Sequence, residues 1–450
     1  MPALRRLPAA APPIALQGAF VTSIGDPFVE GGAASRRHEA DGMLVVADGR
    51  IVDAGAAGAV RTRLPPGTAV ERLPRDALIV PGFVDCHVHY AQLQVIASHG
   101  AQLLEWLTRY TFPAEQALAD PAHARHLAAA FFDATLAAGT TTVASFCTVH
   151  EASVDAFFGE AQQRGLRAIG GKVLMDRNAP AALTDTAQQG YDVSQALIAR
   201  WHDRERLGYA ITPRFAPTSS AAQLDLAGVR WREHPGCWVQ SHVAENAGEI
   251  AWVRELFPEA RDYVDVYARA GLLGPRAIYG HGIHLGEHEF AQLHETGTAL
   301  AHCPTSNLFL GSGLFPWGQA KRDGRPLRVG LGTDVGGGTS LSMLATVAEA
   351  YKVAQMGGTS LSAAHLLHLA TLGGARALRL DGCVGSLQPG MEADFVVLDL
   401  AATPLLAQRV ACANDIDEVL FALFTLGDDR AVAATWSGGR CVHRRAGARG

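Results

Sequence analysis

The sequence predicts an α/β protein: a (β/α)8 barrel with a small composite β-sandwich domain formed by both chain ends. Three observations predict it. Eight apolar or β-rich runs alternate with Ala/Leu/Glu-rich segments of helical spacing through the middle of the chain. Polar residues gather at the C-terminal end of successive runs, the face on which such barrels carry their sites. The same texture of short strands and turns stands at both ends of the chain. At 450 residues, 48% apolar and 18% charged, the chain can bury a large core.

The elements follow in chain order. Residues 1–14 read as a disordered lead-in. Arg5 and Arg6 precede an Ala-rich stretch, but Pro8, Pro12 and Pro13 interrupt it, and no apolar run is long enough for a signal peptide. Residues 15–79 hold the period-two runs IALQGAFVTSI and MLVVADGRIVDAG, with Asp48-Gly49 as a hairpin signal. Residues 385–450 repeat the texture in GSLQPGMEADFVVLDL and AVAATWSGGRCVHR, with Gly438-Gly439 as the turn. These two spans are expected to form the composite domain, and residues 80–384 the barrel. Its eight runs are LIVPGFVDCHVH, GTTTVASFC, RAIGGKVLMD, GYAITPRFAPT, CWVQSHVAEN, RAIYGHGIHL, TALAHCPTSN and RVGLGTDVGGG. Segments such as ARHLAAAFFDATLAAG and LSMLATVAEAYKVAQM supply the helices.

Composition narrows the function. A net charge of −6 argues against a general electrostatic grip on nucleic acid. No stretch of about 18 apolar residues is present, so no membrane span is expected. Seven scattered cysteines, odd in number and without a C-x-x-C, read as reduced thiols of a cytoplasmic protein.

The first barrel run ends in GFVDCHVHYAQ. Among 18 histidines some close pairs arise by chance. On a strand, however, residues i and i+2 share a face, so His87 and His89 can serve one metal ion. The remaining runs put Arg214 on the fourth, His242 on the fifth, His281 on the sixth, His302 on the seventh and Asp334 on the eighth. Histidines with purely structural roles have no reason to favour one end of successive strands. Three imidazoles and one carboxylate, His87, His89, His242 and Asp334, make a catalytic metal shell with room for water. Glu245, three residues beyond His242, is read as a general acid/base, the competing reading being a solvated loop acid. Asp334, between an apolar run and three glycines, competes with a reading as a helix N-cap. His284 and His302 are read as supporting or core histidines.

These blocks carry a resemblance. HVH, SHVAEN, YGHGIHL and GLGTDVGGG resemble the amidohydrolase superfamily over nearly the whole chain. Within it, HVHYAQ, ASHGAQLLEWLTRYTFPAEQ, DRNAP, TPRFAPTSS, AHCPTSNLFLGSGLF and TDVGGGTSLSM resemble, in order, the signature blocks of the guanine deaminases. Ala91 departs from the proline expected after HxHY, while Gln92 is retained. The resemblance implies one Zn2+ per subunit, held by His87, His89, His242 and Asp334 without a bridging lysine. It implies catalytic roles for Glu245, Asp334 and His281, with His281 hydrogen-bonding the water and the developing tetrahedral centre. Guanine would be the substrate, attacked at C2 and released as xanthine and ammonia. Gln92 and Arg214 would read the purine edge and Phe215 would stack. Trp106 is read either as a pocket wall or as a buried helix anchor. Phe112 and Pro113 would belong to a loop over the pocket, and the enzyme would be a homodimer. Other readings are a deaminase of another ring, a metal-free scaffold, and a nucleic-acid deaminase. The last lacks the H-x-E and P-C-x-x-C signature of its class.

Overall fold

The structure, a computed structural model, describes residues 12–99 and 102–446. Residues 1–11 of the expected lead-in lie outside the described residues, and its last residue, Ile14, already opens the first strand, Ile14–Ser23.

Gly82 marks the passage from one sheet to the other. Ala77–Pro81 belongs to the composite sheet, and Phe83–His89 is the first barrel strand. A Cβ at residue 82 would lie 2.1 Å from Thr141 Oγ1, so the close approach requires glycine. One apolar run therefore serves two sheets.

The barrel strands are Phe83–His89, Thr140–Phe146, Arg167–Gly171, Leu207–Pro213, Trp238–Val243, Ala277–His281, Ala299–His302 and Val329–Leu331. They pair in parallel and in chain order, and Val173–Leu174 resumes the third strand beyond Lys172. The ring closes between the first strand and the segment after the eighth. There Asp334 N–H donates to the His87 carbonyl at 2.9 Å, and His89 N–H donates to the Val335 carbonyl at 2.8 Å. Inside, Val84, Cys86, Ala144, Ile169, Ala210, Ile278 and Ala301 pack with Ala375, Leu378 and Leu380. The outer helices are built as the periodicity predicts. In Pro121–Ala137, Asp120 accepts from the N–H groups of Ala122 and His123, Pro121 takes the first position, and Leu127, Ala128, Phe131, Phe132 and Leu136 form one buried stripe.

The composite domain is one hydrogen-bonded sheet drawn from both chain ends. Ala77–Pro81 pairs with Ile14–Ser23 on one side and Phe395–Asp399 on the other. The two expected turns have left-handed central residues, Asp48 and Gly49 at φ 50 and 73°, Gly438 and Gly439 at φ 53 and 76°. They meet, for a Cβ on Gly439 would lie 2.9 Å from Gly49 Cα. The sheet thus curls, and Leu16, Leu44, Ile79, Phe395 and Trp436 share one interior. The C-terminal span is not all strand. It also forms helices Pro404–Ala411 and Ile416–Leu426, and Leu420, Leu423 and Phe424 of the second join the outer core of the barrel. Among the described residues, no helix is long and apolar enough to cross a membrane.

A buried ion cluster ties the two units. Arg206 Nη2 donates to Glu392 at 2.6 Å and to Asp394 at 2.5 Å, and Arg167 Nε donates to Glu392 at 3.1 Å. Burial opposes the charge of Glu392, but Arg206 and Arg167 outweigh it and hold the carboxyl at about 2. Removing one member of such a cluster strands buried charge. Glu392→Ala is expected to cost roughly 3–5 kcal/mol, read as a lowered urea midpoint. An unchanged midpoint would show that the cluster carries no net stability.

Candidate active site

The first strand changes side at its end. Val84 and Cys86 face the barrel interior, while Phe83 and Val88 pack with the outer core. Strict alternation from Cys86 would turn Val88 inward and both histidines outward. An irregularity in pairing between Asp85 and Val88 shifts the alternation, as a bulge does, and brings His87 and His89 inward together. Their rings lie 5.2 Å apart.

His242 from the fifth strand and Asp334 from beyond the eighth complete the group. His89 Nε2 is 3.1 Å from His242 Nε2, and Asp334 Oδ1 is 3.4 Å from His87 Nε2 and 3.3 Å from His89 Nε2. All four donor atoms lie within 4.8 Å of one another. A tetrahedron with arms of about 2.0–2.1 Å has edges of roughly 3.3–3.4 Å, so the two separations from Asp334 match a small divalent ion and the His89–His242 separation falls just short of it. The chemistry of the donors fits as well. Burial drives His89 down to about 4 and His242 well below its ordinary value, so both imidazoles are neutral, as metal coordination requires. The Arg214 carbonyl accepts from His242 Nδ1 at 2.6 Å, which leaves Nε2 free to ligate. Burial opposes an ionised Asp334, but His87 and His89 outweigh it and hold the carboxyl well below the usual carboxylate range. His87 Nε2 is buried without a hydrogen-bond partner, as expected of a nitrogen awaiting a ligand. Asp334 caps no helix, since Ser342 caps the next one, Met343–Met356.

Three turns at the strand ends aim these groups. Ala244, His281 and Asp334 all have left-handed backbones, at φ 48, 72 and 49°. Each costs of order 1–3 kcal/mol in a residue other than glycine, a strain that the packed barrel holds in place. The glycines after Asp334 permit contact instead, since a Cβ at Gly338 would meet the Thr333 carbonyl at 1.7 Å.

Glu245 is 3% exposed, which excludes the solvated-acid reading. Burial and the neighbouring Asp334 push its carboxyl up to about 8, so it carries a proton near neutrality. Ser312 Oγ donates to it at 3.0 Å, and its own N–H donates to Glu249 at 2.9 Å. His281 Nε2 stands 3.3 Å from Glu245 and 3.8 Å from Asp334, while its Nδ1 is 2.8 Å from Asn307 Oδ1. His284 bonds the Ser312 carbonyl at 2.9 Å. His302, fully buried and stacked on Phe315, is a core residue.

A cavity of about 410 Å³, including its mouth, opens onto this group. His89, His242, Glu245, His281 and Asp334 line it with Gln92, Arg214, Phe215 and Trp106. Trp106 satisfies both readings, being buried and on the cavity wall. Phe112 departs from the expected loop. It opens helix Phe112–Gln116, is 7% exposed, and faces the Arg214 guanidinium at 5.7 Å. Sequence reasoning assigned no role to Glu115, Asn307 or Ser312. Glu115 binds both Gln92 and Arg214, and all three residues stood inside quoted blocks, TFPAEQ, CPTSN and LGSGLF.

The sequence profile described as the Amidohydrolase family matches residues 78–442. The chain belongs to the amidohydrolase family. A guanine deaminase of Escherichia coli strain K12 is 46% identical to it over 434 residues, 96% of this chain and 98% of the relative. A solved E. coli guanine deaminase superposes with a TM-score of 0.92 at 44% identity, covering 97% of this amidohydrolase and 100% of that chain. A guanine deaminase from C. acetobutylicum, with bound guanine in its active site, superposes at 0.85 with 28% identity over 96% and 100%.

The barrel seam beneath the site runs through Asp85. Its carboxylate accepts from Thr333 N–H at 3.0 Å, Thr333 Oγ1 at 2.5 Å and His87 N–H at 3.2 Å. Asp85→Ala would strand these buried donors. It is expected to cost roughly 1–3 kcal/mol or more and to lower the metal content per chain by elemental analysis. Full metal content would show that the seam does not set the donor geometry.

Proposed function

We propose that this protein is a zinc-dependent guanine deaminase, hydrolysing the exocyclic C2–N bond of guanine to give xanthine and ammonia. One observation above others supports the reading. One cavity brings His89, His242 and Asp334 of the donor group and the buried Glu245 together with the Gln92 amide, the Arg214 guanidinium and the aromatic side chains of Phe215 and Trp106. The E. coli relative named guanine deaminase covers 96% of this chain.

His87, His89, His242 and Asp334 would hold one zinc per subunit. Bound there, the ion would lower the pKa of a water molecule to about 7, so that hydroxide would be available at neutral pH. Asp334 accepts the proton of the attacking water. Glu245 donates its proton to N3 as the C2–O bond forms, so negative charge does not build up on the ring. His281, between the two carboxyls, hydrogen-bonds the tetrahedral centre. The C2–N bond then breaks, and the amine leaves as ammonia with a proton that came from water. Gln92 and Arg214 hold the far edge of the base while Phe215 and Trp106 wall its faces. The proposal includes a homodimer, on the family resemblance, and the cytoplasm, on seven scattered cysteines, odd in number and without a C-x-x-C.

Glu245→Gln is expected to keep zinc at one per chain by elemental analysis. Its conversion of guanine to xanthine should fall by about 10²–10⁴-fold in kcat. A near-normal kcat would remove Glu245 from proton transfer.

A further inference from the structure

Glu115 is fully buried, yet it is not among the residues lining the cavity. Its Oε1 accepts from Gln92 Nε2 at 2.9 Å and from Arg214 Nη1 at 2.8 Å, and its Oε2 accepts from the same Nη1 at 2.7 Å. Gln92 follows the first barrel strand and Arg214 the fourth, so one carboxylate spans the floor between two separate elements. The amide of Gln92 is held at its other end too, where Oε1 accepts from Gly336 N–H at 3.3 Å. Neutralising Arg214 needs only the ion pair. The added bond to Gln92 fixes which way the amide faces, something a structural ion pair has no need to do.

We infer that Glu115 is a positioning residue that sets base specificity by orienting Gln92 and Arg214. The inference rests on the guanine deaminase reading. Glu115 turns Nη1 of Arg214 and one N–H of Gln92 away from the base. Among the described residues, no protein group accepts from Nη2 or Nε of Arg214. The cavity is therefore left with a set of N–H donors. The O6/N7 edge of guanine offers two acceptors, whereas a 6-amino purine sets a donor against these donors. Glu115 also cancels the charge of Arg214, so the wall suits a neutral base rather than an anion.

The test measures kcat and KM for guanine and for 2,6-diaminopurine, with zinc content, in the wild type, Glu115→Gln and Glu115→Asp. In Glu115→Gln the KM for guanine should rise about tenfold or more with kcat changed little and zinc retained. The preference in kcat/KM for guanine over 2,6-diaminopurine should fall about tenfold. Glu115→Asp keeps the charge at Arg214 but is too short to hold Gln92 as well, and should fall between the two. The preference ratio does not depend on the fraction of folded enzyme, so Glu115→Asp carries the test if Glu115→Gln folds poorly. An unchanged ratio in the folded variants overturns the inference. If the zinc-loaded wild type does not deaminate guanine, the functional reading itself fails, an outcome distinct from an unchanged ratio in an active enzyme.

Discussion

The site depends on one seam, the closure between the first barrel strand and the segment after the eighth. Two main-chain hydrogen bonds, Asp334 to His87 and His89 to Val335, close the ring at the candidate donor group. Asp85 reinforces the seam from below by accepting from both sides. The histidine pair and the aspartate are about 250 positions apart in the chain. Barrel closure is what sets them at 3.3–3.4 Å. The donor spacing is thus a property of the whole barrel rather than of a local motif.

Around the seam the barrel holds conformations that an isolated chain would avoid. Left-handed turns fall on Ala244, His281 and Asp334 rather than on glycine. Burial keeps imidazoles neutral and keeps a proton on Glu245. These features work in one direction: a buried barrel end leaves the imidazole lone pairs free to coordinate a metal and leaves Glu245 a proton to give. The polar framework is correspondingly indirect. The Arg214 main chain orients His242, while its side chain is oriented by Glu115.

The sequence made the barrel legible because strand and helix periods alternate eight times, and it made the donor group legible because strand ends collect histidines. His-X-His on one face also held, but that this face is the inward one follows from an irregularity between Asp85 and Val88 that alternation alone does not announce. What stayed hidden is long-range. Glu115 meets Arg214 across 99 positions, and Ser312 meets Glu245 across 67. No local spacing reports such bonds. The helix Ile416–Leu426 was different in kind. The spacing of Leu420, Leu423 and Phe424 is helical, and the strand-rich texture on either side of it masked the signal.

The most direct measurement is ammonia release by the purified, zinc-loaded protein on guanine, 8-oxoguanine, adenine, cytosine, guanosine and melamine. The account predicts that guanine leads by a wide margin, because the donors of Gln92 and Arg214 match its O6/N7 edge while C2 faces Glu245 and the ligand group. A different base in the lead, or no release while zinc is bound, would contradict it.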